Sequence, residues 1–117
     1  MSNVLESNQE RFAKDIPSKG IAVVDFCASW CGPCRSFAPI FESSADLHPD
    51  ILHLKIDVDA NPELASTYEV QSIPTTMFLR DGVVVGRFTG ALSAPRLEDL
   101  LLQTRKLDMV KVHRQRK

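Results

Sequence analysis

No apolar run in this chain approaches the ~20 residues that a helical membrane span requires. The opening stretch, MSNVLESNQERFAKDI, has neither the basic leader nor the apolar core of a secretory signal, which predicts a cytoplasmic address. Net charge is nearly absent: 14 Lys and Arg stand against 15 Asp and Glu, giving −1, so no global case exists for a nucleic-acid or membrane partner. Repeats, low-complexity segments and a linker are missing too. At 117 residues and 44% hydrophobic, the chain reads as one ordered domain with one core. Histidine is scarce, and His48, His53 and His113 are too isolated to form a spaced metal-binding set, so each reads as a surface or strand-edge residue. Cysteine is scarce as well. Three is an odd count, which under a reducing address excludes a disulfide framework and leaves catalytic, metal-binding or buried thiols.

What charge there is lies unevenly. Residues 105–117 hold six Lys/Arg against one Asp, about +5, which leaves about −6 for the rest. The reading is a domain over residues 1–106 followed by a flexible basic tail, 107–117. The tail is either simply solvated or makes electrostatic contact with an acidic partner.

The strands are legible as β-branched apolar runs. Ile21 to Cys27, in GIAVVDFCAS, reads as a buried central strand, and Ile51–Asp59 as a second. TTMFLRDGVVVGRFTG reads as a hairpin turned at Asp81-Gly82, a dipeptide suited to a type I′ turn. A short stretch near Val4 is taken as an edge strand. Four helices are expected. The first spans Asn8 to Ile16. The second runs from the cysteine pair to about Leu47, with Pro39 kinking it. The third starts at an Asn61 cap followed by Pro62 and Glu63. The fourth starts near Ser93, with Leu97, Leu100 and Leu101 on one face. The order β-α-β-α-β-α-β-β-α predicts a three-layer α/β/α sandwich around a mixed five-stranded sheet.

Two of the cysteines stand in SWCGPCRS, residues 29–36. Such a pair can be half a zinc site, a structural disulfide or a working redox couple. Zinc commonly takes a second Cys/His pair, and none is present. The spacing Cys27-x3-Cys31-x2-Cys34 resembles the cluster-binding motif of radical SAM enzymes. There the three cysteines share a loop of a far larger barrel, whereas here Cys27 ends a strand and Cys34 is helical. Placement favours redox work. Cys31 follows the central strand and precedes a helix, so its sulfur meets unpaired N–H groups and the positive end of the helix dipole, which favour a thiolate. Cys34 lies one turn on and is shielded. One thiol attacks and the other resolves, as in dithiol exchange. Gly32 lets a partner chain approach, Pro33 presets the first helical turn, and Trp30 shields the site and offers a flat apolar surface. Asp25 is an acid in a buried strand, costly unless useful; burial raises its pKa, so it can take the Cys34 proton directly or through water.

The segments VVDFCASWCGPC, KIDVDANPELASTYEV, SIPT and GRFTGALS stand in an order and spacing that resemble the thioredoxin family, from about residue 3 to 104. The resemblance implies the thioredoxin fold and a redox-active Cys31–Cys34 disulfide. It implies that Asp25 is that family's buried aspartate and Lys55 the buried lysine facing it. It makes Ile73-Pro74 a cis bond, with the backbone of Ile73 binding substrate. Gly90 and Ala91 become the small residues that let a substrate chain approach, and Trp30, Val58 and Pro33 complete an apolar docking surface. Cys27 departs from the pattern, which usually has an aromatic there. It is read as a buried inert thiol, with a third redox thiol as the alternative. Ser72 and Thr89 make the docking rim more polar than in the most apolar members.

The expected activity is that of a protein-disulfide reductase, involved in cell redox homeostasis and electron donation to disulfide-forming enzymes. The resemblance implies oxidised proteins as substrates, a monomer, no bound cofactor or metal, and recharging by a thioredoxin reductase that uses FAD and NADPH in trans. The alternatives are a disulfide oxidase or isomerase on the same fold, and a non-enzymatic binding subunit whose cysteines act as a redox-sensitive latch.

Overall fold

Every residue from Ile21 to Cys27 is buried. A strand hidden on both faces needs a helical layer on each side of its sheet. The computed structural model describes residues 3–115 and has that architecture. In chain order its elements are β1 (Val4–Glu6), α1 (Phe12–Asp15), β2 (Ile21–Cys27), α2 (Gly32–Leu47), β3 (Leu52–Asp57), α3 (Pro62–Thr67), β4 (Thr75–Arg80), β5 (Val83–Thr89), α4 (Ala94–Arg105) and α5 (Met109–Gln115). The sheet runs β1-β3-β2-β4-β5, with β2 in the middle. β1 and β2 pair with β3 in parallel, while β2–β4 and β4–β5 are antiparallel.

Strand alternation divides β2 between two apolar layers. Ala22, Val24 and Phe26 pack with Phe12 of α1 and Leu64 of α3. Ile21 and Val23 face the other way, against Phe37 and Phe41 of α2 and Leu97 and Leu101 of α4. Asp25 shares this second face by the same alternation. The hairpin turn has positive φ at both Asp81 (54°) and Gly82 (81°), as a type I′ turn demands.

Several expectations need correction. Among the described residues there are five helices, not four. Asp108 starts the fifth, its Oδ1 accepting the N–H groups of Val110 and Lys111 at 3.0 and 3.4 Å. The first helix is one turn, Phe12–Asp15, because the Asn8 side chain accepts the N–H groups of Glu10 and Arg11 and holds the preceding residues in a turn. Pro39 lies inside α2, where it was expected. Ser93 caps α4, its Oγ accepting the Arg96 N–H at 3.2 Å. Asn61 stands at the start of α3 but its side chain caps nothing there. It ties two loops together instead: Oδ1 accepts the Gln9 N–H and Nδ2 donates to the Asp57 carbonyl, each at 3.0 Å.

His53 is not a surface residue; it is 1% exposed. Its Nδ1 lies 3.0 Å from the Ile51 carbonyl and its Nε2 2.9 Å from Ser44 Oγ. The carbonyl only accepts, so Nδ1 carries the proton and Nε2 accepts from the serine. Burial pushes the imidazole pKa down and keeps the ring neutral. The ring of His48 meets Glu98 across the α2–α4 side. The side chain of His113 lies outside the described residues.

Asn61→Ala strips a partner from two backbone groups at once. It should lower stability by about 1–3 kcal/mol, read as a fall in the urea midpoint at unchanged m-value. An unmoved midpoint would mean the two loops do not depend on this side chain.

Candidate functional site

The chain leaves β2 at Cys27 and enters α2 at Gly32, and the short connection turns Cys31 onto the helix start. Cys31 is the N-cap residue, with extended backbone (φ −84°, ψ 115°), and its Sγ accepts the Cys34 N–H at 3.2 Å. Sulfur thus stands where a Ser or Asp oxygen caps other helices. The donor and the dipole both favour negative charge on this atom. Cys34 follows one turn later, and the two are disulfide-bonded with Cα atoms 5.2 Å apart. Pro33 occupies the first turn and is exposed. A Cβ built on Gly32 meets no atom within 4 Å, so the space beside the disulfide is open to another chain.

The expected difference in shielding is absent. Cys31 is 4% exposed and Cys34 is 5%. The two sulfurs differ in place rather than exposure. Cys31 Sγ lies 3.8 Å from the carbonyl oxygen of Ile73, whose bond to Pro74 is cis. Cys34 lines a cavity of about 90 Å³ with Asp25, Cys27, Lys55 and Glu42.

Asp25 is 2% exposed, and its Oδ1 is buried with no hydrogen-bond partner. Loss of water pushes its pKa up from 3.8 to about 7, against a smaller downward pull from the Lys55 cation. A carboxyl poised near neutrality beside a thiol is suited to move a proton. Lys55 is opposite Asp25 in the β2–β3 register, and Glu6 of β1 is opposite Lys55 on the other side. The expectation that Lys55 is buried is wrong: it is exposed, although its backbone is paired on both sides, with β2 and with Glu6 of β1.

Cys27 is 3% exposed and packs with Ala28, Cys31 and Cys34. Burial first, then the Asp25 charge, push its thiol up to about 12, so at neutral pH it stays protonated and a poor nucleophile. Its sulfur lies 3.7 Å from the Ile56 carbonyl.

Of the other predicted residues, two touch the cysteine cluster. Val58 and Ile73, both half-buried, pack against the cysteine cluster. Gly90 has φ of +109°, and its N–H donates to the Pro74 carbonyl at 2.8 Å, which holds the loop after β5 against the proline. Ala91, Ser72 and Thr89 are exposed. Trp30 is 65% exposed, and its Nε1 donates to Asp59 Oδ2 at 2.6 Å. Asp59 was not foreseen. It lies 29 residues from Trp30, and nothing in the local pattern pairs them. Thr76 was also missed, a buried polar residue opposite Asp25 on β4. Among the described residues, no group of three or more His, Cys, Asp or Glu is arranged to hold a metal ion, and no helix is long and apolar enough to cross a membrane.

Comparison with known proteins agrees with this geometry. A family model described as Thioredoxin matches residues 3–103. The putative thioredoxin 2 of Streptomyces coelicolor is 40% identical over 114 residues, covering 97% of this chain and 85% of that protein. Thioredoxin H1 of Arabidopsis thaliana is 43% identical over 89 residues, 76% of this chain and 78% of that one. Among solved structures, a mutant thioredoxin from Halobacterium salinarum superposes with a TM-score of 0.83 at 33% identity, over 90% of this chain and 93% of that one.

The buried carboxyl has a pH signature. The folded chain keeps the Asp25 proton up to about pH 7, whereas the unfolded chain releases it near 3.8. The stability this proton contributes is present below that lower value and is lost as pH rises through 7. Asp25→Asn removes the loss. It should be more stable than the parent at pH 8, by up to about 4 kcal/mol, and nearly equal to it at pH 4. Denaturant melts at both pH values measure this; an equal gain at both would assign the effect to packing instead.

Proposed function

The chain belongs to the thioredoxin family, whose members are disulfide oxidoreductases working through a Cys-x-x-Cys pair, and on that premise we propose that it is a general protein-disulfide reductase. The observation that carries the proposal is Cys31 Sγ capping α2 and accepting the Cys34 N–H. In the reduced chain that environment favours the Cys31 thiolate as attacking group.

The reaction moves two electrons from the dithiol to the substrate. Cys31 thiolate attacks one sulfur of the substrate disulfide, that S–S bond breaks, and the first substrate thiolate leaves and takes a proton. Asp25 accepts the Cys34 proton, directly or through water in the shared cavity. Cys34 thiolate then attacks Cys31 Sγ, the mixed disulfide breaks, and the second substrate thiol is released. The chain is left with the Cys31–Cys34 disulfide. Lys55 steadies the charge that appears on Asp25.

The docking surface in this reading is Trp30, Gly32, Pro33, Val58, Ile73, Pro74, Gly90 and Ala91. An extended substrate segment pairs with the backbone of Ile73, whose carbonyl already lies 3.8 Å from Cys31 Sγ. The Asp59 bond holds the indole of Trp30 in place while its face stays open. The activity is assigned to residues 1–106, with 107–117 a basic tail outside it. The natural setting is the cytoplasm, with a monomer recharged by a flavin- and NADPH-dependent thioredoxin reductase, serving redox homeostasis and electron donation to disulfide-forming enzymes. The chain itself holds no cofactor in this scheme.

Cys31→Ser should abolish turnover, a loss of at least about 10³-fold in insulin-disulfide reduction, whereas Cys34→Ser should accumulate mixed disulfides visible on non-reducing gels. A Cys31→Ser chain that still reduces disulfides would sink the role assignment. The midpoint potential, from equilibration in graded dithiol/disulfide buffers with thiol alkylation, is expected well below the cytosolic glutathione couple. A midpoint near those of the oxidising enzymes would turn the reading towards oxidation or isomerisation.

A further inference from the structure

Two buried polar atoms lack a protein partner on neighbouring strands. One is Asp25 Oδ1 and the other is Thr76 Oγ1. Asp25 and Thr76 are direct partners in the antiparallel β2–β4 register. Directly opposed residues project from the same face of a sheet, with Cβ atoms about 4.5–5.5 Å apart. On its other side Thr76 faces Phe88 of β5, which offers no acceptor in its side chain. Thr76 is 0% exposed, so water does not reach its hydroxyl from the surface. A buried hydroxyl without a bond costs about 1–3 kcal/mol, and an unpaired carboxylate costs more. Threonine reaches a neighbouring oxygen by one rotation about χ1.

We infer that Thr76 is a positioning residue for Asp25: its hydroxyl donates a hydrogen bond to the carboxylate when Cys34 gives up its proton. This rests on the reading of Asp25 as the base. The bond satisfies both orphan atoms together. It forms with the charged carboxylate, so it eases ionisation that burial opposes. It also holds the carboxyl plane against β4 while the Asp25 side chain borders the cavity shared with Cys34. The other charged or titratable groups around this carboxyl are Lys55 and Asp57 on β3, Glu6 on β1, Arg35, Cys34 and Glu42 on α2, and Cys27 on β2 itself. Thr76 adds a neutral hydroxyl directly opposite Asp25, and it comes from the strand on the opposite side of β2 from Lys55.

The test compares Thr76→Val, which keeps the shape and removes the hydroxyl, with Thr76→Ser, which keeps the hydroxyl. The Asp25 carboxyl is titrated in the reduced full-length chain by ¹³C NMR, and the resolution step is timed across pH by stopped flow. Val should raise the carboxyl midpoint by about one pH unit and carry the rate profile with it, while Ser stays close to the parent. Thr76→Ala serves the same comparison if Val disturbs the core. An unmoved carboxyl midpoint in Val, or equal shifts in Val and Ser, overturns the inference. The base reading fails by a different sign: Asp25→Asn resolving at the parental rate, whatever the carboxyl titration shows.

Discussion

The structure depends on an acid placed out of reach of bulk water. Asp25 stands in the middle of the middle strand, with packed helices over both faces of the sheet. Its position explains why the surroundings are as they are. The cavity beside it is small, its cationic neighbour Lys55 is one strand away, and the disulfide lies above. The carboxyl is held protonated to near neutrality by desolvation, which costs the fold stability once that proton leaves. A base that must trade a proton with a thiol at neutral pH is worth this cost to catalysis, though not to folding.

The second constraint is the junction between β2 and α2. A strand that ends under a helix N-terminus delivers a side chain to unpaired N–H groups. Cys31 occupies that spot, and its sulfur does the capping. The nucleophile, its resolving partner and the base therefore come from one continuous stretch, Asp25 to Cys34. The opposing wall is non-local. Ile73 and Pro74 arrive from the loop before β4, and Gly90 fastens its own loop to Pro74. The open side at Gly32 lies between these walls, with Trp30 anchored near it by Asp59.

The local pieces were readable because their cause is local. The apolar run of β2, the Asp81-Gly82 turn and the Ser93 cap each follow from neighbours within a few residues. Readings failed where a distant partner intervened. Asn61 has a capping residue's sequence context, yet its amide is claimed by Gln9 and Asp57. His53 looks like a strand-edge histidine until Ser44 of α2 closes over it. Lys55 was expected buried, but it is exposed even between its strand partners Asp25 and Glu6. Asp108 is a local signal for α5, a capping acid just before an apolar-basic stretch, masked by the basic composition of the tail.

The sequence alone determined the chemistry at hand: a thiol pair one helical turn apart, an acid within an apolar strand, and an α/β alternation that must bury that strand. These follow from period, spacing and composition, which survive without knowledge of the fold. Only the tertiary structure decided what each group faces. It set equal burial for Cys31 and Cys34, brought Asp59 to Trp30, exposed Lys55, and put Thr76 opposite Asp25. The reason is physical. Desolvation and hydrogen bonding depend on neighbours in space, and strand register sets those neighbours across long stretches of chain.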